Sequence, residues 1–303
     1  MATGFAHGKV LLFGEHAVVY GQPAVALGTA RGISARASRG PARLRVGAWS
    51  LDVAPGEGRV GASLQAILRV LRERLDAPDL GATLDVDTSL PAGAGLGSSA
   101  ALAVACARAL AADAGATLDD ATLFDAAMAS ERVFHGNPSG LDHAVAMHGG
   151  VIRYVRGETP TQVKVGLRAD VVVAQVAAGA DTGAMVAGVA ARREKLPSVM
   201  EPLLSAFGGL AEQGIEALAT GDAEELGALF DMNQALLGAI GVSTPALDAA
   251  CAQARAAGAL GAKLTGAGGG GCVIALTTPE ATQAVLDALS PTSTMTLVAP
   301  LEP

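Results

Sequence analysis

Between Leu90 and Ala111 the chain reads LPAGAGLGSSAALAVACARALA, and no other stretch constrains its fold as strongly. Leu90-Pro91 closes an extended segment, because proline lacks an N–H and restricts the residue before it to extended backbone. Gly93, Gly95 and Gly97 follow at alternate positions. Lacking Cβ atoms, they permit positive φ and let a ligand approach main-chain N–H groups. Ser98 and Ser99 then open a helix that is apolar on every side up to Arg108, so it has to be central and buried. The first N–H groups of a helix have no partner inside it and carry the positive end of its dipole. Loop and helix start together form a cradle suited to phosphate. The pattern is no Walker loop, since no lysine lies between Ser89 and Ala112, and Ser98 stands where a dinucleotide fingerprint needs its third glycine. On this stretch alone, a phosphate cradle and a flexible turn ahead of a core helix are equal readings.

The 303 residues are enough for one large or two ordinary domains. Half are hydrophobic but only 3% aromatic, so the core has to be built from Ala, Val and Leu. A net charge of −8 argues against a nucleic-acid partner, which usually calls for a basic surplus. No basic start followed by an apolar run suggests a signal peptide, and no apolar stretch reaches the ~20 residues of a membrane span. Cys106, Cys251 and Cys272 are far apart, with no metal or disulfide spacing, which fits a reducing, cytoplasmic setting. The expected partner is a small molecule, with no nucleic acid and no membrane. The oligomeric state stays open, a homodimer being one option.

Hydrophobic spacing predicts strands over Lys9–Phe13 and Ala24–Leu27 and short antiparallel strands within Ile33–Val53. It predicts a helix over Ser63–Leu75 and a strand over Ala82–Thr88. Arg31, Arg36, Arg39, Arg43 and Arg45 follow no helical stripe and read as a solvated strand face. Thr117 is the expected N-cap of a helix running to about His135, Asn137-Pro138-Ser139-Gly140 is turn chemistry, and Ala144–Val155 reads as a strand. The polar stretch Gly157–Leu167 marks a domain boundary, dividing the chain into 1–165 and 166–303. Beyond it come a strand over Ala169–Ala177, helices within Gly183–Leu237 and a helix capped by Thr244-Pro245. Strands over Ala262–Thr265 and Cys272–Leu276, a helix to Leu289 and a strand over Thr294–Val298 complete the chain. That order is β-α-β-β-α-β with extra helices in the first crossover, a ferredoxin-like domain in an α+β protein.

Four positions outside the cradle carry candidate chemistry. Glu131 lies near the C-terminal end of its helix, where the dipole disfavours a carboxylate. Asp142 follows after the turn; its bland role is to cap the short segment HAVAM. Two acids bracketing a turn downstream of a phosphate-type loop suggest that one holds Mg²⁺ and the other accepts a proton from a hydroxyl. Lys9 interrupts an apolar strand, as an edge lysine or as a buried cation. Gly266-Ala267-Gly268-Gly269-Gly270-Gly271 precedes a strand rather than a helix, so it is no Rossmann turn. Close approach to a ligand or to another loop accounts for it better than a hairpin does. His135, His143 and His148 lack metal spacing and read as structural or surface residues.

GKVLLFGEHAVVYGQPAVA at Gly8–Ala26, LPAGAGLGSSAA at Leu90–Ala101 and KLTGAGGGGC at Lys263–Cys272 together resemble the three signatures of the GHMP kinase superfamily. GEHAVVYG at Gly14–Gly21, ERVFHGNPSGLDHAV at Glu131–Val145 and DMNQALLGAIGV at Asp231–Val242 are most similar to its mevalonate kinase branch. The resemblance implies a two-domain fold, with a ribosomal-protein-S5-domain-2-like N-terminal domain and a ferredoxin-like C-terminal one. It implies ATP-dependent phosphorylation of the C5 hydroxyl of (R)-mevalonate, with ATP and Mg²⁺ as cofactors. Pro91, Gly93, Ala94, Gly95, Leu96, Gly97, Ser98, Ser99 and Ala100 would wrap the nucleotide phosphates, and Ser99 and Glu131 would hold Mg²⁺. Asp142 would accept the hydroxyl proton beside Lys9. Glu15, His16, Thr182 and Gly140 would lie at the substrate, with Gly266, Gly268, Gly269 and Gly270 as a supporting loop. The alternatives are another kinase of the superfamily (phosphomevalonate kinase or a mevalonate 3-kinase) and a ligand sensor without catalysis. The joint presence of Lys9, Glu131 and Asp142 argues against the sensor.

Overall fold

The computed structural model describes residues 2–90, 95–134 and 140–303. The first part of the chain forms β1 (Ala2–Phe13), β2 (Ala24–Ser38), β3 (Arg43–Val46), β4 (Leu51–Val53), α1 (Gly58–Arg74), β5 (Thr83–Thr88), α2 (Ser98–Asp113), α3 (Asp120–Phe134) and α4 (Leu141–His148). The remainder forms β6 (Val151–Tyr154), β7 (Thr161–Gln162), β8 (Ala169–Gln175), α5 (Thr182–Lys195), α6 (Pro197–Thr220), α7 (Ala223–Ala239), α8 (Pro245–Ala256), β9 (Gly261–Thr265), β10 (Cys272–Thr277), α9 (Thr282–Leu289) and β11 (Met295–Leu301). Two compact units result: Met1–Lys9 with Gly28–Gly149, and Val10–Leu27 with Gly150–Pro303. Among the described residues no helix is long and apolar enough to cross a membrane.

In the first unit β3 lies between β4 and β5, antiparallel to the one and parallel to the other, and Ile33–Ser38 of β2 pairs antiparallel with β5. The α2 helix is buried from Ala100 to Ala111 apart from Arg108, as a helix without a polar face must be. The guanidinium of Arg108 donates to the carbonyls of Phe5 and Met147 at 2.6 and 2.7 Å, tying the helix to β1 and to the end of α4. The α1 helix buries Leu64, Ile67, Leu68 and Leu71 on one stripe. A buried hydroxyl pair, Ser63 with Ser130 at 2.6 Å, joins it to α3. On the sheet, Arg43 and Arg45 are met by Asp52 and Asp85, a solvated, self-compensating face as expected.

Two local expectations change. Ala144–His148 belongs to α4 and not to a strand; Gly149 and Gly150, at φ 62° and 64°, end the helix, and only Val151–Tyr154 is extended. A short apolar run has no period that tells helix from strand. The cap of α3 is Asp119, whose side chain accepts from the Thr122 N–H at 2.7 Å, rather than Thr117.

In the second unit the sheet order is β11–β8–β10–β9, every pair antiparallel. This is the ferredoxin-like arrangement, with α5 to α8 in the first crossover and α9 in the second. Its core packs Val172, Ala174, Leu264, Val273 and Ala275 against Phe207, Leu247, Cys251 and Leu289. Ala24–Leu27 of β2 pairs with β6, and β6 with β7. Strand β9 lies at the sheet's edge, and α7 covers it: Asp231 accepts from the Ala262 N–H at 2.9 Å and Gln234 from the Leu264 N–H at 2.8 Å. Side chains thereby satisfy the alternate N–H groups that an edge strand leaves open. The approach is close, because a Cβ on Gly261 would meet the Gly227 carbonyl oxygen at 2.0 Å. Gly261→Ala is expected to cost about 1–3 kcal/mol in a urea unfolding titration. Gly238→Ala, in open space within α7, is expected to gain about 0.5–1 kcal/mol.

Candidate functional site

The cradle's described part behaves as a cap without a side chain. Gly95 and Gly97 have φ 77° and 74°. Gly97 is the N-cap of α2; among the described residues no side-chain hydrogen bond caps the helix, and its first turn carries no acid. First-turn N–H groups at the start of a helix are donors of the kind that suits an anion. The entry to the loop is anchored. Leu90 is buried, and its carbonyl accepts from Trp49 Nε1 at 3.2 Å. Pro91, Gly93 and Ala94 lie outside the described residues, as do His135 and the Asn137-Pro138-Ser139 part of the turn.

Lys9 and Asp142 meet at this helix start. The Lys9 N–H donates to the Leu96 carbonyl at 2.9 Å. The Lys9 stem passes Gly97 closely enough that a Cβ there would lie 3.4 Å from the lysine Cβ. Its Nζ reaches Asp142 Oδ1 at 3.1 Å, with the lysine side chain 8% and the aspartate 34% exposed. Asp142 is in the first turn of α4, whose N-cap is Gly140 at φ 95°. That positive φ explains why a glycine ends the turn. The neighbouring His143 is buried and stands 3.8 Å from the Glu131 carboxylate, itself buried near the end of α3. Burial pushes the His143 imidazole down to about 4, so at neutral pH it is an uncharged contact and not an ion pair. Ser99 is half-buried in the first turn of α2. An open groove of about 880 Å³ between α1 and α3 is lined by Ala62, Arg69, Arg132 and Val133 among others, but by none of these site residues.

The second unit holds the remaining candidates. Glu15 is buried with both carboxylate oxygens engaged, one by Lys263 Nζ and the other by Asn233 Nδ2 at 3.1 Å. Lys263 is fully buried and stands 5.9 Å from the Phe230 ring centroid. His16 has φ 59° and ψ −44°, and the Ala17 N–H donates to the Glu15 carbonyl across it at 2.6 Å. These values describe a γ-turn of the rare, strained hand. His16 Nε2 lies 2.9 Å from the Ala267 carbonyl oxygen. A carbonyl only accepts, so Nε2 carries the proton and Nδ1 is left as an acceptor. Nδ1 is buried with no hydrogen-bond partner among the described residues. Burial lowers the His16 pKa, against the opposing pull of the Ala267 bond and the Glu15 charge. In the glycine loop, Gly266, Gly268, Gly269 and Gly270 have φ between 70° and 141°. A Cβ at Gly269 would meet Met185 and Ala180, and one at Gly270 the Ala178 carbonyl. The loop thus lies against the start of α5, where Thr182 is exposed and Asp181 is the cap, accepting from the Ala184 N–H at 2.7 Å.

Lys263 and Asn233 are the residues that spacing alone does not single out. Lys263 is one of only four lysines and interrupts the buried strand GAKLT; Asn233 sits in the polar run Asp231–Gln234 of α7. A lone lysine in a short apolar strand is a signal that could have marked Lys263, but not its partner, 248 residues away.

Comparison with known proteins agrees along the chain. The GHMP kinases N terminal domain matches residues 62–150, and the GHMP kinases C terminal domain matches residues 215–292. A mevalonate kinase of Aeropyrum pernix is 35% identical, over 91% of this chain and 88% of its own. One of Thermococcus gammatolerans is 36% identical, over 94% and 91%. The crystal structure of L. major mevalonate kinase in complex with R-mevalonate superposes with a TM-score of 0.85 at 29% identity, covering 100% of this chain and 96% of that one.

Proposed function

The chain belongs to the GHMP kinase family, whose members are ATP-dependent kinases, and from that premise we propose that it phosphorylates the C5 hydroxyl of (R)-mevalonate. The products are 5-phosphomevalonate and ADP. The observation that carries the chemistry is the Lys9–Asp142 contact at 3.1 Å beside the α2 start, where Gly97 is the N-cap. The acceptor follows the relatives named mevalonate kinase and the related structure that holds R-mevalonate.

Phosphoryl transfer asks the protein mainly for positioning and charge stabilisation. The loop from Gly95 to Ala100 binds the ATP phosphates through main-chain N–H groups, with Gly93 and Ala94 in the same role, and Pro91, which has no N–H, belongs to the nucleotide site as the entry to the loop. Asp142 accepts the proton of the attacking hydroxyl, and Lys9 stabilises the negative charge that develops on it. His16, Thr182 and Gly140 contact the substrate; Glu15 belongs to the same substrate group. Gly266, Gly268, Gly269 and Gly270 form a supporting loop.

Ser99 and Glu131 would hold Mg²⁺. Hydroxyl and carboxylate oxygens are the hard donors this ion takes, and it commonly keeps several waters while using one or two carboxylates and phosphate oxygens. One buried acid, Glu131, fits that habit. When bound, the ion would supply positive charge that offsets the charge on the phosphates. A cytoplasmic setting belongs to the same proposal.

A steady-state panel with mevalonate, 5-phosphomevalonate, homoserine and galactose tests the assignment. Mevalonate is expected to give the highest kcat/KM, with phosphate on its C5 oxygen in the product. Preference for 5-phosphomevalonate would overturn it.

A further inference from the structure

We propose that Lys263 is a positioning residue, which with Asn233 clamps Glu15 and so holds the strained His16 turn against the glycine loop. Three observations within the second unit carry this. The first is the turn: a non-glycine residue at φ 59°, ψ −44° stores on the order of 1–3 kcal/mol and persists only where its surroundings over-determine it. The second is what surrounds it. On the N-terminal side Glu15 is buried, with one oxygen on the fully buried Lys263 and the other on Asn233. On the ring side, His16 Nε2–H donates to Ala267. The third is the frame. Asp231 and Gln234 of α7 bond to the N–H groups of Ala262 and Leu264, the residues on either side of Lys263. Strand β9 runs from there directly into Gly266. One turn of α7, Asp231 to Gln234, therefore fixes the lysine's strand, the acid it pairs with and the start of the loop that His16 holds.

A buried ion pair is a poor source of stability, since desolvation offsets most of its Coulomb gain. What it provides is a defined geometry. With both oxygens engaged, Glu15 sets where His16 sits, and the ring presents Nδ1 as a fixed acceptor. The consequence for turnover rests on the kinase reading above; the latch itself does not.

The test compares Lys263→Met, Glu15→Gln and the double variant with the intact protein. Lys263→Met leaves a buried carboxylate without its cation and lowers stability. The double variant removes both charges and restores folding, as read by circular dichroism. In ¹⁵N-histidine-labelled intact protein, the His16 Nε2–H gives a slowly exchanging ring-proton resonance, identified by its loss in His16→Gln. It is expected to disappear from the folded double variant. Mevalonate kcat/KM is expected to fall about 10²-fold, the scale of a misplacement near 1 Å, while the Kd for ATP is unchanged. The double variant is expected to be no worse than the poorer single variant, because both substitutions break one clamp. A ring-proton signal that persists in the folded double variant overturns the latch, whatever the kinetics. Losses that add, or mevalonate kinetics that stay intact after the signal is gone, overturn the positioning role. If the intact protein does not phosphorylate mevalonate, the kinase reading fails while the resonance still decides the latch.

Discussion

Asp142→Asn is expected to lower kcat for mevalonate by about 10²–10⁴-fold, the range over which a positioned base contributes, with the Kd for ATP little changed. The amide keeps the size of the side chain and an oxygen for Lys9 Nζ, which lies 3.1 Å away, but it cannot take the hydroxyl proton. Neutralising Asp142 leaves the buried Lys9 ammonium facing an amide dipole instead of a carboxylate, which lowers stability, so circular dichroism under assay conditions accompanies the kinetics to show that the variant is folded. A loss confined to kcat marks a group that acts in the transition state. Single-turnover assays with saturating ATP measure it directly; an Asp142→Asn protein as fast as the intact one would remove Asp142 from the chemistry.

The second large effect is expected at Lys9. Lys9→Ala should reduce kcat by about 10²–10³-fold, as for other groups that meet developing charge. ATP binding should weaken as well, because the lysine stem packs on Gly97; the backbone N–H of residue 9 that bonds the Leu96 carbonyl is retained. Lys9→Arg separates charge from shape. The guanidinium stays charged but is wider and planar, and it does not replace a compact ammonium in a space closed by Gly97. Its kcat should remain at least about tenfold below that of the intact protein. Recovery to the full rate would show that any nearby cation suffices.

Both predictions concern residues visible as candidates in the sequence, yet for unequal reasons. Asp142 could be read as a helix cap. The structure makes Gly140 the cap of α4 and turns the aspartate toward Lys9. Lys9 could be an edge lysine; it is buried along the α2 start, where Gly97 is the N-cap. The resemblance puts Glu15 at the substrate, and the fold adds that its two oxygens are held by Lys263 and Asn233. His143 was read as structural or surface, and it lies against Glu131.

The features legible along the chain are those that short-range physics controls. Glycines at Gly95, Gly97 and Gly140 mark positions that need positive φ. The apolar face of α1 and the all-round apolarity of α2 declare how deeply each helix is buried. Turn residues separate the strands and helices of the ferredoxin-like half in their observed order. Such signals span a few residues and survive in a linear reading. Where the apolar run was short, as at Ala144–His148, even this failed, because helix and strand share the same composition there. Only the folded chain decides which distant groups meet. The pairing of Lys263 with Glu15 spans 248 residues, and the strained turn at His16 exists because packing from β9 and α7 outweighs its local cost. Neither contact leaves a trace in spacing or periodicity, since each depends on where whole elements come to rest.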